Sequence, residues 1–131
     1  MRVAKWFVGI LLVGVLAGCE VDQPQGKKTS LTPREVYEMR EDKDVLIIDV
    51  RTPAEFQHER IREAVNKPLD EINEWLKELP KDKKIVFVCR SGTRSGHAQR
   101  LAQREGYENT YNMAGGMLAW RREGLPVASG E

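Results

Sequence analysis

Two apolar runs rich in β-branched residues constrain the fold of this chain more than any other feature of its sequence. The first covers residues 45–50 and the second covers residues 85–88. Because neither run alternates regularly with polar residues, each predicts a strand buried on both faces, as in a parallel sheet. Shorter strand candidates are residues 64–67 and 110–112.

Helical patterns fill the intervals between these strands. Residues 32–35 read Thr-Pro-Arg-Glu, which predicts a capping box with proline at the first helical position. Apolar residues recur at helical spacing across residues 69–79, and two further helices are predicted at about 95–105 and 117–123, each closed by a glycine. The alternation predicts one α/β domain with a mainly parallel sheet, flanked by helices on both faces.

The first nineteen residues have the layout of a secretory signal. A short basic start precedes an apolar stretch at residues 6–17, and small residues then lead to Cys19. The apolar stretch is too short to span about 30 Å of hydrocarbon comfortably. The letters LAGC resemble the bacterial lipobox, which implies cleavage before Cys19 and diacylation of its sulfur. An uncleaved anchor, or an ordinary signal with a chance cysteine, is the alternative.

This reading divides the chain into a lipoprotein signal peptide at residues 1–18, a lipidated flexible tether at residues 19–30 and a folded domain at residues 31–131. The tether is polar and shows no apolar period. Two acyl chains suffice for stable anchoring, so we expect a membrane anchor in the cell envelope, facing the periplasm or the extracellular side. By the same resemblance, Glu20 favours the outer over the inner membrane.

Charge and cysteine content narrow the function further. The chain has 21 basic and 20 acidic residues, a net charge of +1, so no basic excess indicates nucleic-acid binding. No pair of His or Cys residues has metal-ligand spacing, and we expect a monomer without metal or cofactor. With Cys19 acylated, Cys89 is a lone thiol in an oxidising compartment, either buried and inert or retained because it reacts.

Cys89 ends the second buried strand, at the edge of a parallel sheet where ligands bind. It begins the segment CRSGTRS, which joins that strand to a helix. Gly92 permits a left-handed turn that directs backbone N–H groups at one point, and the helix adds its positive end. Charges and hydroxyl groups come from Arg90, Ser91, Thr93, Arg94 and Ser95. This setting favours a thiolate at Cys89 and attracts an anionic substrate.

Three blocks of the sequence together resemble the rhodanese family. CRSGTRS is similar to its active-site loop, DVRTPAEF at residues 49–56 to its DVRxxxEF block, and residues 112–127 to its GGxxxW and GLPV signature. The blocks occur in the family's order and span residues 31–127. The resemblance implies that residues 31–131 form a single rhodanese-like domain, a transferase of the thiosulfate:cyanide sulfurtransferase type.

The resemblance also implies the partners and the role of the cysteine. Cys89 would carry the transferred sulfur as a persulfide, taken from an anionic donor such as thiosulfate and passed to a thiol, cyanide or a protein. Asp49 and Arg51 are expected to support the site as an ion pair or loop brace. Residues 59–68 depart from the family pattern GHIPGAINIP, and Arg60 and Arg62 are expected to alter the rim of the site.

Two rival functions use the same loop. Cysteine phosphatases and arsenate reductases have an HCxxGxxR[ST] loop, but here the loop is one residue shorter and Val88 replaces the preceding histidine. The shorter loop suits a sulfur atom on the cysteine, whereas the longer one suits a phosphate or arsenate tetrahedron. A non-catalytic persulfide carrier is the other rival, because carrying a persulfide and transferring its sulfur share one chemistry.

Overall fold

The computed structural model describes residues 27–130, so the predicted signal peptide, Cys19 and most of the predicted tether lie outside it. Within this range the strands are β1 Ser30–Leu31, β2 Val45–Asp49, β3 Val65–Asn66, β4 Lys84–Val88 and β5 Thr110–Met113. The α-helices are α1 Pro33–Met39, α2 Pro53–His58, α3 Ile72–Trp75, α4 Thr93–Arg104 and α5 Gly116–Arg122. No helix in this range has the length and apolarity needed to cross a membrane.

All five strands are parallel and form one sheet in the order β1-β5-β4-β2-β3. Side chains of β4 alternate between its two faces. Ile85, Phe87 and Cys89 belong to the core cluster shared with α3 and α4, whereas Val86 and Val88 belong to the cluster shared with α1 and α5. The predicted α/β fold, with helices on both faces of a parallel sheet, is therefore confirmed.

Two local features follow from a repeated sequence pattern. At the start of α1, Thr32 and Glu35 form the predicted capping box, with proline at the first helical position. Thr52 and Glu55 form a second one at the start of α2, a helix that the sequence analysis did not predict. Each box satisfies two N–H groups that the first turn of a helix leaves without partners.

The single helix predicted for residues 69–79 is wrong. The segment consists of a 3₁₀ turn at Leu69–Glu71, the short helix α3, and a second 3₁₀ turn at Leu76–Glu78. Tyr107 Oη lies within hydrogen-bond distance of the carbonyl oxygens of both Leu76 and Leu79, at 2.7 and 2.8 Å, and can donate to either. The Leu76 carbonyl also accepts from the Leu79 backbone N–H at 3.2 Å, so a local 3₁₀ turn and a distant side chain replace a continuing helix here.

The folded part also begins earlier than the predicted boundary after residue 30. Ser30 lies in β1, and the Thr29 carbonyl accepts hydrogen bonds from the Asn112 backbone N–H and from Gln99 Nε2, at 3.0 and 2.8 Å. The exposed edge of β5 needs backbone partners, which even a polar segment supplies. Ser30 therefore belongs to the sheet rather than to the tether, and Thr29 is hydrogen-bonded to the sheet.

Candidate active site

Cys89 directly follows β4, and only three residues separate it from α4. Gly92 precedes the first residue of α4 with φ of +105°, a left-handed conformation that favours glycine. This tight connection folds the chain back over the cysteine. Its side chain is 0% exposed.

Three donors converge on the Cys89 sulfur. The backbone N–H groups of Gly92 and Ser95 lie 3.1 and 3.3 Å from Sγ, and Ser95 Oγ lies 3.2 Å from it. Burial raises the pKa of the Cys89 thiol, but hydrogen bonds from Ser95, Gly92 and Ser91 outweigh burial and hold that pKa below its ordinary value. The loop and the first turn of α4 thus form the anion cradle expected from the sequence, with the sulfur at its focus.

The N-terminus of α5 holds the same loop from its carbonyl side. The backbone N–H groups of Met117 and Leu118 donate to the carbonyl oxygens of Cys89 and Arg90, at 2.8 and 3.0 Å. Gly116 has φ of +58°, and a Cβ at this position would overlap both carbonyl oxygens. The glycine therefore permits a close approach that fixes the loop's peptide planes and keeps its N–H groups directed at the sulfur.

Arg94 does not stand alone above the cradle. Its guanidinium forms a bidentate ion pair with Glu55 of α2, with N–O distances of 2.8 and 3.0 Å. The hydrogen bonds that Arg94 donates lower the pKa of Glu55 to about 2 against a smaller opposing effect of burial, and the same two bonds raise the pKa of Arg94. No role for Glu55 was predicted from the sequence, although the spacing of Thr52 and Glu55 is that of a capping box.

The remaining loop side chains point outward. Arg90 is exposed and forms no ion pair with another residue of the described range, so its guanidinium is available to an incoming anion. The hydroxyl groups of Ser91 and Thr93 lie 3.5 Å apart, also at the surface. None of these three side chains hydrogen-bonds to the sulfur in the described structure.

Asp49 and Arg51 form a buried ion pair behind the site, with N–O distances between 2.7 and 3.1 Å. Arg51 Nη2 also donates to the Glu59 carbonyl at 2.6 Å, and Asn66 Nδ2 donates to the carbonyls of Asp49 and Arg51. These contacts tie the end of β2 to α2 and β3. Neither side chain hydrogen-bonds to the sulfur. Both instead support the site by fixing the end of β2 against α2 and β3.

The block at residues 59–68, which departs from the family pattern, contains β3 and pairs with the last described residues of the chain. Arg60 pairs with Ala128 through two backbone hydrogen bonds, and its guanidinium donates to the carbonyls of Phe56 and Gly130. Arg62 is exposed and lines a cavity with Trp120 that contains no loop residue. Among these contacts of Arg60 and Arg62, none is with a residue of the active-site loop, so no direct contact supports the expected change at the site's rim.

Two clefts of about 260 Å³ each flank the loop. One is charged and is lined by Arg51, Glu55, His58, Glu59, Arg90, Met117 and Arg121. The other is mainly apolar and is lined by Val50, Thr52, Pro68, Leu69, Asp70 and Arg94. A larger cavity of about 380 Å³ lies beside β1 and α1, away from the cysteine. Within residues 27–130 no group of three or more His, Cys, Asp or Glu side chains is placed to hold a metal ion.

Comparisons with known proteins agree with this geometry. The family model described as a rhodanese-like domain matches residues 32–123. The chain is 42% identical over 88 residues to a sulfurtransferase of Allochromatium vinosum, covering 67% of this chain and 82% of that protein. It is 28% identical to the thiosulfate sulfurtransferase GlpE of Glaesserella parasuis, over 78% of this chain and 94% of that one. A rhodanese-related protein from Thermoplasma volcanium, 33% identical, superposes with a TM-score of 0.70 over 76% of this chain and 97% of its own.

Proposed function

This chain belongs to the rhodanese-like domain family, and from that premise we propose that it moves sulfane sulfur from a thiosulfate or persulfide donor to a thiophilic acceptor through a persulfide on Cys89. Sulfurtransferases among its relatives support sulfur transfer as the general reaction. The observation that carries the proposal is the convergence of Gly92 N–H, Ser95 N–H and Ser95 Oγ on one buried sulfur.

The first step is nucleophilic attack by the Cys89 thiolate on the outer sulfur of the donor. With thiosulfate, a bond forms between Sγ and that sulfur, and the S–S bond of thiosulfate breaks with its electron pair leaving on sulfite. One negative charge then resides on the outer sulfur of the persulfide, and no proton is transferred. The lowered pKa of Cys89 therefore removes the need for a general base.

In the second step the acceptor attacks the outer sulfur and the Cys89 thiolate leaves. The cradle's donors are already in place when the negative charge returns to Sγ, so little reorganisation is required. Because donor and acceptor react in separate steps, the kinetics should be ping-pong. Arg90, unpaired among the described residues and exposed beside the charged cleft, supplies an electrostatic attraction for anionic donors.

Thiosulfate as the donor, with cyanide, a thiol or a protein as the acceptor, is the finer part of this proposal. The similarity to a thiosulfate sulfurtransferase supports it. No observation favours the phosphatase, arsenate reductase or pure carrier alternatives.

We also propose that residues 1–18 are a lipoprotein signal and that Cys19 anchors the protein in the cell envelope, on the strength of the LAGC sequence. The acylation of Cys19 is measured by mass spectrometry of the mature protein from cells, with Cys19→Ser as the control.

The test of the reaction is intact-protein mass spectrometry after thiosulfate treatment, paired with a thiosulfate:cyanide transfer assay. We expect the protein to gain the mass of one sulfur atom and to lose it on addition of cyanide. Cys89→Ser should abolish both signals, whereas Cys19→Ser, which removes the other cysteine, should retain them. Transfer by the Cys89→Ser protein at the full rate would overturn the proposal.

A further inference from the structure

The Ser95 hydroxyl lies between two acceptors and carries one hydrogen. Its Oγ is 3.2 Å from Cys89 Sγ and 2.6 Å from Asn112 Oδ1. Either distance allows a hydrogen bond, but a hydroxyl donates to one acceptor at a time. Ser95 is 0% exposed, so the two acceptors compete for a donor held inside the protein.

The orientation of the Asn112 side chain is fixed by its other end. Nδ2 donates to the Gly92 carbonyl at 3.0 Å, and the reversed amide would set two carbonyl oxygens against each other. The Asn112 backbone is held in β5 between Phe87 and Ser30. Oδ1 therefore faces Ser95 as an acceptor, whatever the state of the sulfur.

The charge on the sulfur decides which acceptor is stronger. A Cys89 thiolate bears a full negative charge and attracts the hydroxyl hydrogen strongly. A neutral thiol, or the inner sulfur of a persulfide whose charge has moved to the outer atom, accepts a hydrogen bond only weakly. In those two states the hydrogen should turn to the amide oxygen of Asn112.

Charged groups around the site act on the thiolate independently of this hydrogen. Arg90 and Arg94 supply positive charge from the loop and from α4. The charges of Asp49 and Glu55, from β2 and α2, are paired with Arg51 and Arg94. The residues of β5 and α5 that contact the loop are uncharged: Asn112, Gly116, Met117 and Leu118. Arg121 of α5 lines the charged cleft with Arg90 and is paired with Glu59.

We propose that Asn112 is a positioning residue for sulfur transfer. Its Oδ1 accepts a hydrogen bond from the Ser95 hydroxyl while Cys89 carries the outer sulfur. When the thiolate re-forms, the hydroxyl keeps its hydrogen and turns to donate to Sγ instead. The persulfide half of this inference rests on the proposed function. The competition itself also exists without any sulfur donor, between the thiol and thiolate forms of Cys89.

The test is a titration of the full-length protein, following thiolate ultraviolet absorbance and subtracting the Cys89→Ser protein. The variants are Asn112→Leu, Ser95→Ala and the double variant, which form a double-mutant cycle. With Ser95 present, Asn112→Leu should increase the thiolate-to-thiol ratio at a fixed pH below the midpoint about threefold or more, because the hydroxyl then donates to the sulfur alone. In the Ser95→Ala background the same change should leave the ratio unaltered.

An equal change in both backgrounds, or a decrease with Ser95 present, would overturn the proposal, because Asn112 would then act by holding the loop's shape. Asn112→Ala replaces Asn112→Leu if the larger side chain prevents folding next to Gly96. A wild-type protein that gains no sulfur atom from thiosulfate refutes the proposed function without affecting this titration, so the two failures are distinguishable.

Discussion

Replacing Glu55 with Gln would remove the negative charge that pairs with the Arg94 guanidinium while preserving the shape of the site. Glutamine still serves in a capping box, so α2 retains its cap to Thr52. The Glu55 pKa of about 2, against an ordinary 4.5, corresponds to roughly 3 kcal/mol if converted directly. Since the Arg94 and Glu55 side chains are 36% and 31% exposed, solvent screening reduces the stability contribution to about 1 kcal/mol.

The same substitution should strengthen donor binding. An uncompensated Arg94 guanidinium beside the cradle attracts a dianion more strongly, and we expect the KM for thiosulfate to fall about three- to tenfold at low ionic strength. Salt screens such an attraction, so the difference should shrink as ionic strength rises. The assay is thiosulfate:cyanide transfer at two salt concentrations, with the free energy of unfolding measured in urea.

Glu35→Gln is a matched control, because Glu35 occupies the equivalent capping-box position in α1 and pairs with Lys28 at 2.7 Å. It should leave the KM unchanged. A KM for the Glu55→Gln protein that stays constant or rises at low salt would refute the reasoning, because Arg94 would then not face the donor.

Three further outcomes follow from the described contacts. Gly116→Ala should destabilise the fold by more than about 1–3 kcal/mol in urea and reduce transfer over tenfold, whereas Gly124→Ala, strained at φ of +73° but in open space, should affect stability alone. Arg51→Met should cost about 3–5 kcal/mol of unfolding free energy by leaving Asp49 buried and unpaired, and a loss below about 1 kcal/mol would contradict the buried-pair interpretation. Since the pKa of Glu55 is lowered in the folded state, its stabilisation is present above pH 4.5 and lost as the pH falls toward 2. Between pH 4.5 and 2, the free energy of unfolding should therefore fall less steeply with decreasing pH in the Glu55→Gln protein than in the wild type.

The parts of the structure that local sequence patterns control were predictable. Runs of apolar residues gave β2 and β4, and the position of Cys89 after a buried strand placed it at the carboxyl edge of the sheet. The capping box of Thr32 and Glu35 marked the start of α1 to the residue. In each case neighbouring residues carry the decisive interaction.

Features that depend on distant partners were not predictable in this way. Glu55 and Arg94 are 39 positions apart, and no local pattern indicates that α2 presents its carboxylate to the loop. The carbonyls at the end of the 69–79 segment have Tyr107 Oη as a partner, 28 and 31 positions away. The amide of Asn112 reaches the loop only because β5 pairs with β4.

The lengths of the strands also bear on how the protein behaves at high concentration. The two edge strands, β1 and β3, have two residues each, whereas the strands between them have four or five. A second molecule adding its own strand at either edge would gain few backbone hydrogen bonds. The sheet itself thus protects against fibrillar association: the sequences with the strongest β propensity lie in its centre, where they are already paired on both sides.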